Sequence, residues 1–376
     1  MAPPPPVAAA APKVDPVPPP PPPAPQPPIT KAETDKQAPF DVVKVYFGTD
    51  RLDTASTRPA ERFANDRGPG ITYGECVVTI PARHRKGELE APPSWLPSRL
   101  YRMMEDPERH VVLDRVTSLA RDQFLDTLRR ASETGGRKAL VFVHGYNNTF
   151  EDAARRTAQI THDAEFDGVA LFYSWPSKAA LLEYPRDETN VDRAQIYLQA
   201  FMRDLALNGS FDSVYLIAHS MGNRALTSAF LELRKTIPRA RFAVFKEIIL
   251  AAPDIDAEVF QTRIAPALAS TPSKITLYAS SKDKALAISK DFNGYRRAGD
   301  TDGGPIIQPG IETIDSSGVR TELYYQAGLG HSYIGDSAEV LADLRDLLVR
   351  GLRPDQRSSL VRDAKGLYWK FKAGGQ

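Results

Sequence analysis

The chain has 376 residues, enough for one large domain or two ordinary ones, and its 42% hydrophobic and 25% charged residues are typical of a globular protein. Its 48 Lys and Arg nearly balance its 47 Asp and Glu, which excludes the strong basic field of a nucleic-acid-binding protein. The single cysteine, Cys76, excludes an internal disulfide and argues against cysteine-ligated zinc. Because Cys76 lies in an apolar run at residues 76–80, we expect a buried, inert thiol.

Residues 1–28 are rich in proline and alanine, a composition that favours extended polyproline II and does not build a core. We interpret residues 1–40 as a disordered, semi-rigid spacer, with a ligand for a proline-recognising partner as the alternative. The start lacks the basic and apolar regions of a signal peptide. Two locations are therefore left open. A cell-envelope or secreted protein, with an export signal or lipid anchor before residue 1, is favoured over a cytoplasmic one.

Globular patterning begins at residue 41, and residues 41–110 are predicted to form a β-rich extension packed on the core. Strands are predicted at residues 42–47 and 76–80, with a loop between them up to residue 70 and irregular chain at residues 83–107. A short strand at residues 111–113 and a helix at residues 118–131 follow. We expect Asp50 and Arg51, after the first strand, to form a salt bridge within a turn.

Strands and helices alternate from residue 139 onward. The predicted strands are residues 139–143, 169–173, 213–217, 247–252, 275–279 and 323–325. The predicted helices are residues 150–164, 191–207, 223–233, a helix near Ala257, and a last helix from Asp336, as its N-cap, to before Gly351. Strands separated by such helices indicate parallel βαβ units, hence an α/β fold with a doubly wound, mostly parallel sheet over residues 111–351. We expect the tail, residues 352–376, to pack on this domain, with contact to a membrane surface as the alternative.

The most informative motif is Ala-His-Ser-Met-Gly at residues 218–222, which joins a predicted strand to a predicted helix. A serine on such a tight turn is typical of a nucleophile elbow, where the N–H groups of the helix N-terminus face the group under attack. Small residues on both sides, Ala218 and Gly222, let the strand and the helix pass close together. The motif predicts Ser220 as a nucleophile.

A serine hydroxyl needs an imidazole to take its proton, and the imidazole needs a carboxylate to orient it. In open α/β sheets these groups lie just beyond the carboxyl ends of the strands. His331, in a glycine-rich loop between the last predicted strand and the last helix, is predicted as the base. His84, His110 and His162 are interpreted as surface residues, and His219 as packed beneath the elbow.

Two aspartates that follow strands compete to orient the base. Asp283 gives the chain order Ser, Asp, His and is favoured, whereas Asp254 is the alternative acid and would equally serve as a helix N-cap. A tetrahedral oxyanion needs two N–H donors, which we expect from the backbones of Met221 and Tyr146. Tyr146 lies in a loop opened by His144, whose imidazole we expect to be structural.

Together these motifs resemble the α/β-hydrolase superfamily. The resemblance lies in Val-His-Gly-Tyr at residues 143–146, the motif at residues 218–222, the loop of Asp283 and the loop of His331, in that order. More narrowly, the chain resembles an uncharacterised bacterial esterase-like branch, a domain of unknown function. The motifs of that branch are Phe-Gly-Thr-Asp-Arg at residues 47–51, Tyr-Gly-Glu-Cys at 73–76, Phe-Val-His-Gly-Tyr-Asn at 142–147, Tyr-Ser-Trp-Pro-Ser at 173–177 and Ala-Ala-Pro-Asp-Ile-Asp at 251–256. The resemblance covers about residues 41–350 and implies an α/β-hydrolase fold with a serine triad, leaving the substrate open.

Three residues are candidates for contact with a substrate. Trp175 stands at a predicted strand end and is interpreted as a pocket wall, with a tryptophan packed in the core as the alternative. Asn147 follows the expected oxyanion donor. Tyr184 lies within residues 177–190, where such hydrolases place cap or lid insertions, and a solvated loop is the alternative there.

The sequence therefore predicts a carboxylic-ester hydrolase that acts on a small-molecule or lipid ester through an acyl-enzyme. We expect no metal, no organic cofactor and no nucleic-acid partner, and membrane contact only through an N-terminal anchor or the tail. Amidase, thioesterase or acyltransferase chemistry would use the same residues. The alternative of another class is a catalytically idle hydrolase scaffold that binds a partner through its proline-rich N-terminus.

Overall fold

The computed structural model describes residues 39–93, 95–180, 183–283, 286, 289–290, 294–319 and 333–372. The strands are β1 (Phe40–Asp53), β2 (Phe63–Pro81), β3 (Val112–Leu119), β4 (Lys138–Val143), β5 (Val169–Ser174), β6 (Ser213–His219), β7 (Phe245–Ala251), β8 (Lys274–Ala279), β9 (Ile311–Asp315), β10 (Leu360–Arg362) and β11 (Trp369–Phe371). The helices are α1 (Ser98–Met104), α2 (Arg121–Thr134), α3 (Phe150–Asp163), α4 (Tyr184–Asn208), α5 (Gly222–Thr236), α6 (Arg239–Phe242), α7 (Ala257–Val259), α8 (Ala265–Ala269), α9 (Tyr333–Asp336) and α10 (Ala338–Leu348). A π-helical turn, Phe260–Ile264, joins α7 to α8.

Within the described residues the strands form one sheet of eleven, in the order β10-β11-β9-β8-β7-β6-β4-β5-β1-β2-β3. The central strands, β9, β8, β7, β6, β4, β5 and β1, run parallel to one another. Strands β2 and β3 add an antiparallel extension at one edge. The prediction of a doubly wound, mostly parallel sheet with an N-terminal β extension is confirmed.

Helices cover both faces of this sheet, which explains the continuous apolar runs of its central strands. Successive residues of a strand face opposite sides. In β4, accordingly, Val141 packs in the apolar layer with Phe201 of α4, whereas Leu140 packs in the other layer with Phe150 of α3. Cys76 is buried in β2, and burial raises the pKa of its thiol well above the ordinary value, as expected for an inert thiol.

The prediction of a loop up to residue 70 was wrong. The first two strands pair from Phe40 with Pro81 to Asp53 with Phe63, through irregular register near Arg51. Their outer halves are polar, so the sequence carries no alternation there to indicate a strand. Helix α1 lies in the stretch expected to be irregular, and β3 continues through Leu119, so α2 starts later than expected.

Three further differences occur in the second half. Helix α4 already begins at Tyr184, so the segment expected as a lid loop is largely helical. Strand β9 was not predicted, and the expected strand at residues 323–325 lies outside the described residues. The N-cap of α10 is Ser337, whose hydroxyl accepts from the N–H of Val340, because the carboxylate of Asp336 instead binds Arg156 at 2.6 Å.

The C-terminal tail packs on the domain, as expected. Its two strands form an antiparallel pair, and β11 joins the sheet beside β9. The buried Arg357 fastens it, since its Nη1 donates to Asp343 of α10 at 2.7 Å and to the Tyr278 hydroxyl at 3.2 Å. Both Arg357 and Asp343 have 0% side-chain exposure. Among the described residues, no helix combines the length and the hydropathy needed to cross a membrane.

We predict that Arg357→Met lowers the free energy of unfolding by about 3–5 kcal/mol, because it leaves Asp343 as an unpaired buried charge. Urea unfolding monitored by circular dichroism measures the change. Arg362→Met is the matched control: Arg362 is exposed over the ring of Trp369 at 4.8 Å, so its loss should cost about 1 kcal/mol or less. Equal effects of the two variants would contradict the anchoring role of Arg357.

Candidate active site

The turn between β6 and α5 holds Ser220 in a left-handed backbone conformation, with φ of +52°. Such a conformation costs a non-glycine residue about 1–2 kcal/mol, because its Cβ crowds the carbonyl oxygen that follows. The strain lies at the end of a central strand and directly before a 15-residue helix, where the elbow prediction expects it. Met221, the first expected oxyanion donor, stands at the N-cap of that helix.

Two glycines allow the elbow to press against the neighbouring loop. A Cβ on Gly222 would lie 2.4 Å from the carbonyl oxygen of His144, and a Cβ on Gly145 would lie 2.8 Å from the Cβ of Ser220. Both distances are too short for a side chain. The loop after β4 therefore lies directly on the serine, and Tyr146, the second expected oxyanion donor, is the next residue of that loop.

Hydrogen bonds hold the strained turn to the next strand. The N–H of Ser220 donates to the carbonyl of Ala251 at 3.0 Å, at the end of β7. The Asn223 amide donates to the carbonyls of both Ser220 and Ala251, each at 3.0 Å. Asn223 is fully buried in the first turn of α5, so it clamps the elbow onto β7 from inside the protein.

The imidazole of His144 is a buried part of the scaffold. Its Nε2 accepts from the N–H of Trp175 at 3.1 Å, so Nδ1 carries the proton and donates to the carbonyl of Gly145 at 2.7 Å. Burial, with the nearby charge of Arg51, lowers the pKa of His144 to about 3. The ring is therefore neutral at physiological pH, in the arrangement expected of a structural histidine.

Trp175 lies beneath this loop, with 0% exposure. Its ring stacks on the His144 ring at 5.1 Å between centroids, and its indole N–H donates to the His144 carbonyl at 2.8 Å. This position corresponds to the alternative of a tryptophan packed in the core. Its direct contacts are with the loop that carries Tyr146.

The buried guanidinium of Arg51 joins the segments around the site. It donates to the Ser174 hydroxyl at 2.8 Å, to the Asn148 carbonyl at 2.7 Å and to the Ser177 carbonyl at 3.2 Å. Burial lowers its pKa to about 10, so it keeps its charge at neutral pH. These bonds tie the end of β1 to the loops after β4 and β5.

The expected salt bridge between Asp50 and Arg51 was wrong. Successive strand residues point to opposite faces, so the two side chains diverge. Asp50 instead accepts from the Tyr173 hydroxyl and from Arg193 of α4, each at 2.8 Å. The sequence offered no local signal for either partner, because both lie more than 120 positions away.

Asp187, near the start of α4, is a second buried residue that connects the segments around the site. It lies in the segment that was predicted as a lid insertion or a loop. Its carboxylate is fully buried and accepts from the Ser177 hydroxyl at 2.6 Å and from the Lys178 N–H at 2.8 Å. Burial raises its pKa, and hydrogen bonds, among them one from the backbone of Asn147, oppose that rise. Asn147, a candidate for substrate contact, thus belongs to a loop whose backbone is bound by Asp187. The φ of Asn147 is +59°.

The favoured acid, Asp283, follows β8 and is 3% exposed. One carboxylate oxygen accepts from the N–H of Leu286 at 3.0 Å. Burial raises the pKa of Tyr333, the first residue of α9, well above its ordinary value, and the charge of Asp283 adds to that rise. The predicted base, His331, lies outside the described residues, two positions before that helix.

The alternative acid, Asp254, follows β7 and is bound on both carboxylate oxygens. Oδ1 accepts from Ser289 and Arg297, each at 2.7 Å, and Oδ2 accepts from the Tyr184 hydroxyl at 2.6 Å. Burial raises its pKa, but Arg224, Arg297 and these hydrogen bonds outweigh burial and lower it. The N–H of Asp254 also donates to the Ser220 carbonyl at 3.3 Å, so this cluster adjoins the elbow.

Tyr184, the third candidate for substrate contact, connects this cluster to the loop after β4. Besides its bond to Asp254, its ring packs edge-on against Tyr146 at 5.5 Å between centroids. Tyr184 is 6% exposed. His219 is also 6% exposed, in agreement with a position beneath the elbow.

A doubly wound sheet that carries a serine elbow at the carboxyl end of a central parallel strand defines an α/β hydrolase. The sequence matches the family model of an alpha/beta hydrolase of unknown function (DUF900) over residues 120–348, more than half of the chain. The chain therefore belongs to that family.

Several solved structures are similar at low identity. A predicted CIB-like hydrolase from Thermoplasma acidophilum is 16% identical, with 57% of this chain and 87% of that chain covered and a TM-score of 0.31. Est1E from Butyrivibrio proteoclasticus is 10% identical, with 57% of this chain and 87% of that chain covered and a TM-score of 0.33. An esterase from Pyrobaculum calidifontis is 9% identical, with 62% and 92% covered and a TM-score of 0.31. No curated protein matches the sequence. The family assignment rests on the family model.

We predict that Ser220→Gly unfolds at a higher urea concentration than Ser220→Ala, by about 0.5–1 kcal/mol in free energy. Both variants lack the hydroxyl, but only glycine relieves the strain of the positive φ. Ser228, exposed on α5, provides the matched control, because there glycine should be about 1 kcal/mol less stable than alanine. The same order at both positions would contradict a strained elbow.

We predict that His144 stays neutral as the pH falls from 8 to 4, because its pKa lies at about 3. An unfolded histidine takes up a proton near pH 6.5, so His144 contributes a loss of stability as the pH falls from about 6.5 towards 3. Imidazole nitrogen shifts measured by NMR report its protonation directly. Titration of His144 near pH 6.5 in the folded protein would contradict its assignment as a neutral structural group.

Proposed function

We propose that the protein is a serine hydrolase that cleaves carboxylic esters through an acyl-enzyme. The observation that carries this proposal is the strained conformation of Ser220 between β6 and α5, with Gly145 packed against its Cβ. A backbone strain of this kind persists only where the surroundings enforce it, and here they consist of small residues and buried clamps. An elbow of this form presents a hydroxyl to a substrate.

In the proposed reaction, the Ser220 hydroxyl attacks the ester carbonyl carbon while His331 takes its proton. The N–H groups of Met221 and Tyr146 donate to the resulting oxyanion. His331 then gives the proton to the departing alkoxide, which leaves as an alcohol, and an acyl-serine remains. Water attacks this acyl group with His331 again as base, and the carboxylic acid and the free serine are released.

Asp283 is proposed to accept the other imidazole N–H of His331 and to stay ionised. This role is supported by the position of Asp283, which is buried shortly after the carboxyl end of β8. Burial, and after it the charge of Asp283, raises the pKa of Tyr333, whose hydroxyl donates to the Tyr278 carbonyl at 2.9 Å. In the sequence, only Ser332 separates Tyr333 from His331, the proposed base.

Asp254 fits a positioning role better than that of the triad acid. Three side chains already occupy its carboxylate, including the guanidinium of Arg297, so an imidazole would have to displace one of them. Its contacts to Tyr184 and to the backbone of Ser220 instead brace the elbow and the loop of Tyr146 against each other.

We predict that a fluorophosphonate probe labels Ser220 and that the label disappears in Ser220→Ala and in His331→Ala. The phosphonate phosphorus reacts only with an activated hydroxyl, so labelling reports activation rather than exposure. Peptide mapping by mass spectrometry locates the adduct, and hydrolysis of p-nitrophenyl esters, with the matching thioester and anilide, reports the bond type. Ser228→Ala, which removes an exposed serine of α5, should label as the native protein does.

A folded protein without any label would overturn the proposal and favour the idle scaffold. The two aspartates are compared with the same esters. Asp283→Asn should lower kcat by about 10⁴-fold, the cost of losing the orienting carboxylate. Asp254→Asn should lower kcat by a smaller factor than Asp283→Asn does. The opposite order would reassign the acid to Asp254.

A further inference from the structure

Three titratable side chains lie close together at the end of the sheet opposite the elbow. His84 lies in the connection after β2, and His162 and Asp163 are the last two residues of α3. Oδ1 of Asp163 lies 2.8 Å from Nε2 of His84 and 3.2 Å from Nδ1 of His162. One ligand atom of each residue lies within 4.8 Å of the other two. The expectation that both histidines are ordinary surface residues was wrong for His84, whose side chain is 4% exposed.

The remaining polar atoms of this cluster are each held by an outer partner. Nδ1 of His84 contacts a carboxylate oxygen of Glu90 at 2.8 Å, and Nε2 of His162 contacts Asp41 at 3.3 Å. Carboxylates behind histidine ligands in this way fix the tautomer and raise the basicity of the nitrogen that faces a metal.

The second oxygen of Asp163 is fixed as well. Its Oδ2 accepts from the N–H of Gly87 at 2.8 Å and from the amide of Gln159 at 2.6 Å. Oδ1 therefore turns towards the two imidazoles. Both imidazole nitrogens thus face Oδ1 of Asp163, and the outer partners hold the three side chains in these orientations.

The charge of the cluster favours a cation. The carboxylates of Asp163, Glu90 and Asp41 bring three negative charges to it. Burial lowers the pKa of His84, but the hydrogen bonds and charges of Asp163 and Glu90 outweigh it and raise that pKa to about 9, so a metal ion would replace a proton there. The C-terminus of α3 adds the negative end of a helix dipole. Of the nearby basic residues, Lys86 and Arg345 both pair with Glu165 rather than with these three carboxylates.

We propose that this cluster binds one Zn²⁺ ion through Nε2 of His84, Nδ1 of His162 and Oδ1 of Asp163, with water completing a tetrahedron. Imidazole and carboxylate ligands suit zinc, with bonds of about 2.0–2.2 Å and therefore about 3.3 Å between ligand atoms. The present separations from Oδ1, 2.8 and 3.2 Å, need to open by only a few tenths of an ångström. The His162 side chain is 32% exposed and offers the ion a path from solvent.

This zinc site departs from the expectation that the protein binds no metal, and its role is structural. Helix α3 starts after the loop of Tyr146 and ends at the cluster, and its 14 residues span about 21 Å. The ion is therefore remote from Ser220. It fastens the connection of residues 84–90 to α3.

The test titrates ZnCl₂ into the untagged full-length chain, stripped with EDTA, by isothermal titration calorimetry. We expect one Zn²⁺ per chain, a higher melting temperature with zinc than with Mg²⁺, and visible absorption bands of tetrahedral Co²⁺ when cobalt replaces zinc. His162→Ala, at the more exposed ligand, should abolish stoichiometric binding. Glu90→Gln should weaken it by about 10–100-fold, because Glu90 acts through His84.

Two controls make the outcomes decisive. His110→Ala removes a histidine outside the cluster, whose Nδ1 accepts from the N–H of Asp106, and should bind zinc as the native chain does. Ser220→Ala should also bind zinc normally, which separates this proposal from the hydrolase proposal. A folded native chain without zinc binding would overturn it and leave a protonated His84 held between Glu90 and Asp163. Unchanged binding in His162→Ala would place the ion elsewhere and overturn it as well.

Discussion

The close approach of two backbone segments determines the architecture of the candidate site. The loop after β4 and the turn after β6 touch through Gly145 and Gly222, at distances that leave no room for a Cβ. The contact is possible because β4 and β6 are adjacent parallel strands that end at the same level, Val143 beside Ala218. The buried clamps of the site act on this contact, either by holding the strained Ser220 in place or by fixing the loop that faces it.

The clamps come from distant parts of the chain and are mostly buried and charged. Arg51 arrives from β1, Asp187 from α4 and Asp254 from the end of β7. Burying such groups costs free energy, which their multiple hydrogen bonds offset. What they provide is rigidity at one edge of the sheet, where a backbone conformation of positive φ would otherwise relax. The free-energy cost of burying these groups thus falls at the end of the sheet where the chemistry is proposed to occur.

The opposite edge of the sheet has a different organisation. There the C-terminus of α3 meets the connection after β2 through imidazoles and carboxylates, without a strained backbone residue among those three ligand positions. Elsewhere in the sheet, Arg357 of the tail bonds Asp343 of α10 and Tyr278 of β8. Such long-range polar contacts hold connecting segments in places where strand pairing alone does not hold them.

The sequence by itself determined the features that depend on neighbours along the chain. Runs of apolar residues identify β4 to β8 and the helices between them, and a serine between small residues identifies the elbow at Ser220, because burial and tight turns leave local patterns. The polar outer halves of β1 and β2 left no such pattern, and neither did β9. Only the tertiary structure decided the contact of Arg51 with Ser174, 123 positions away, and that of His84 with Asp163, 79 positions away. A buried charge is stabilised by whatever the fold brings to it, and the spacing of residues in the sequence does not record that.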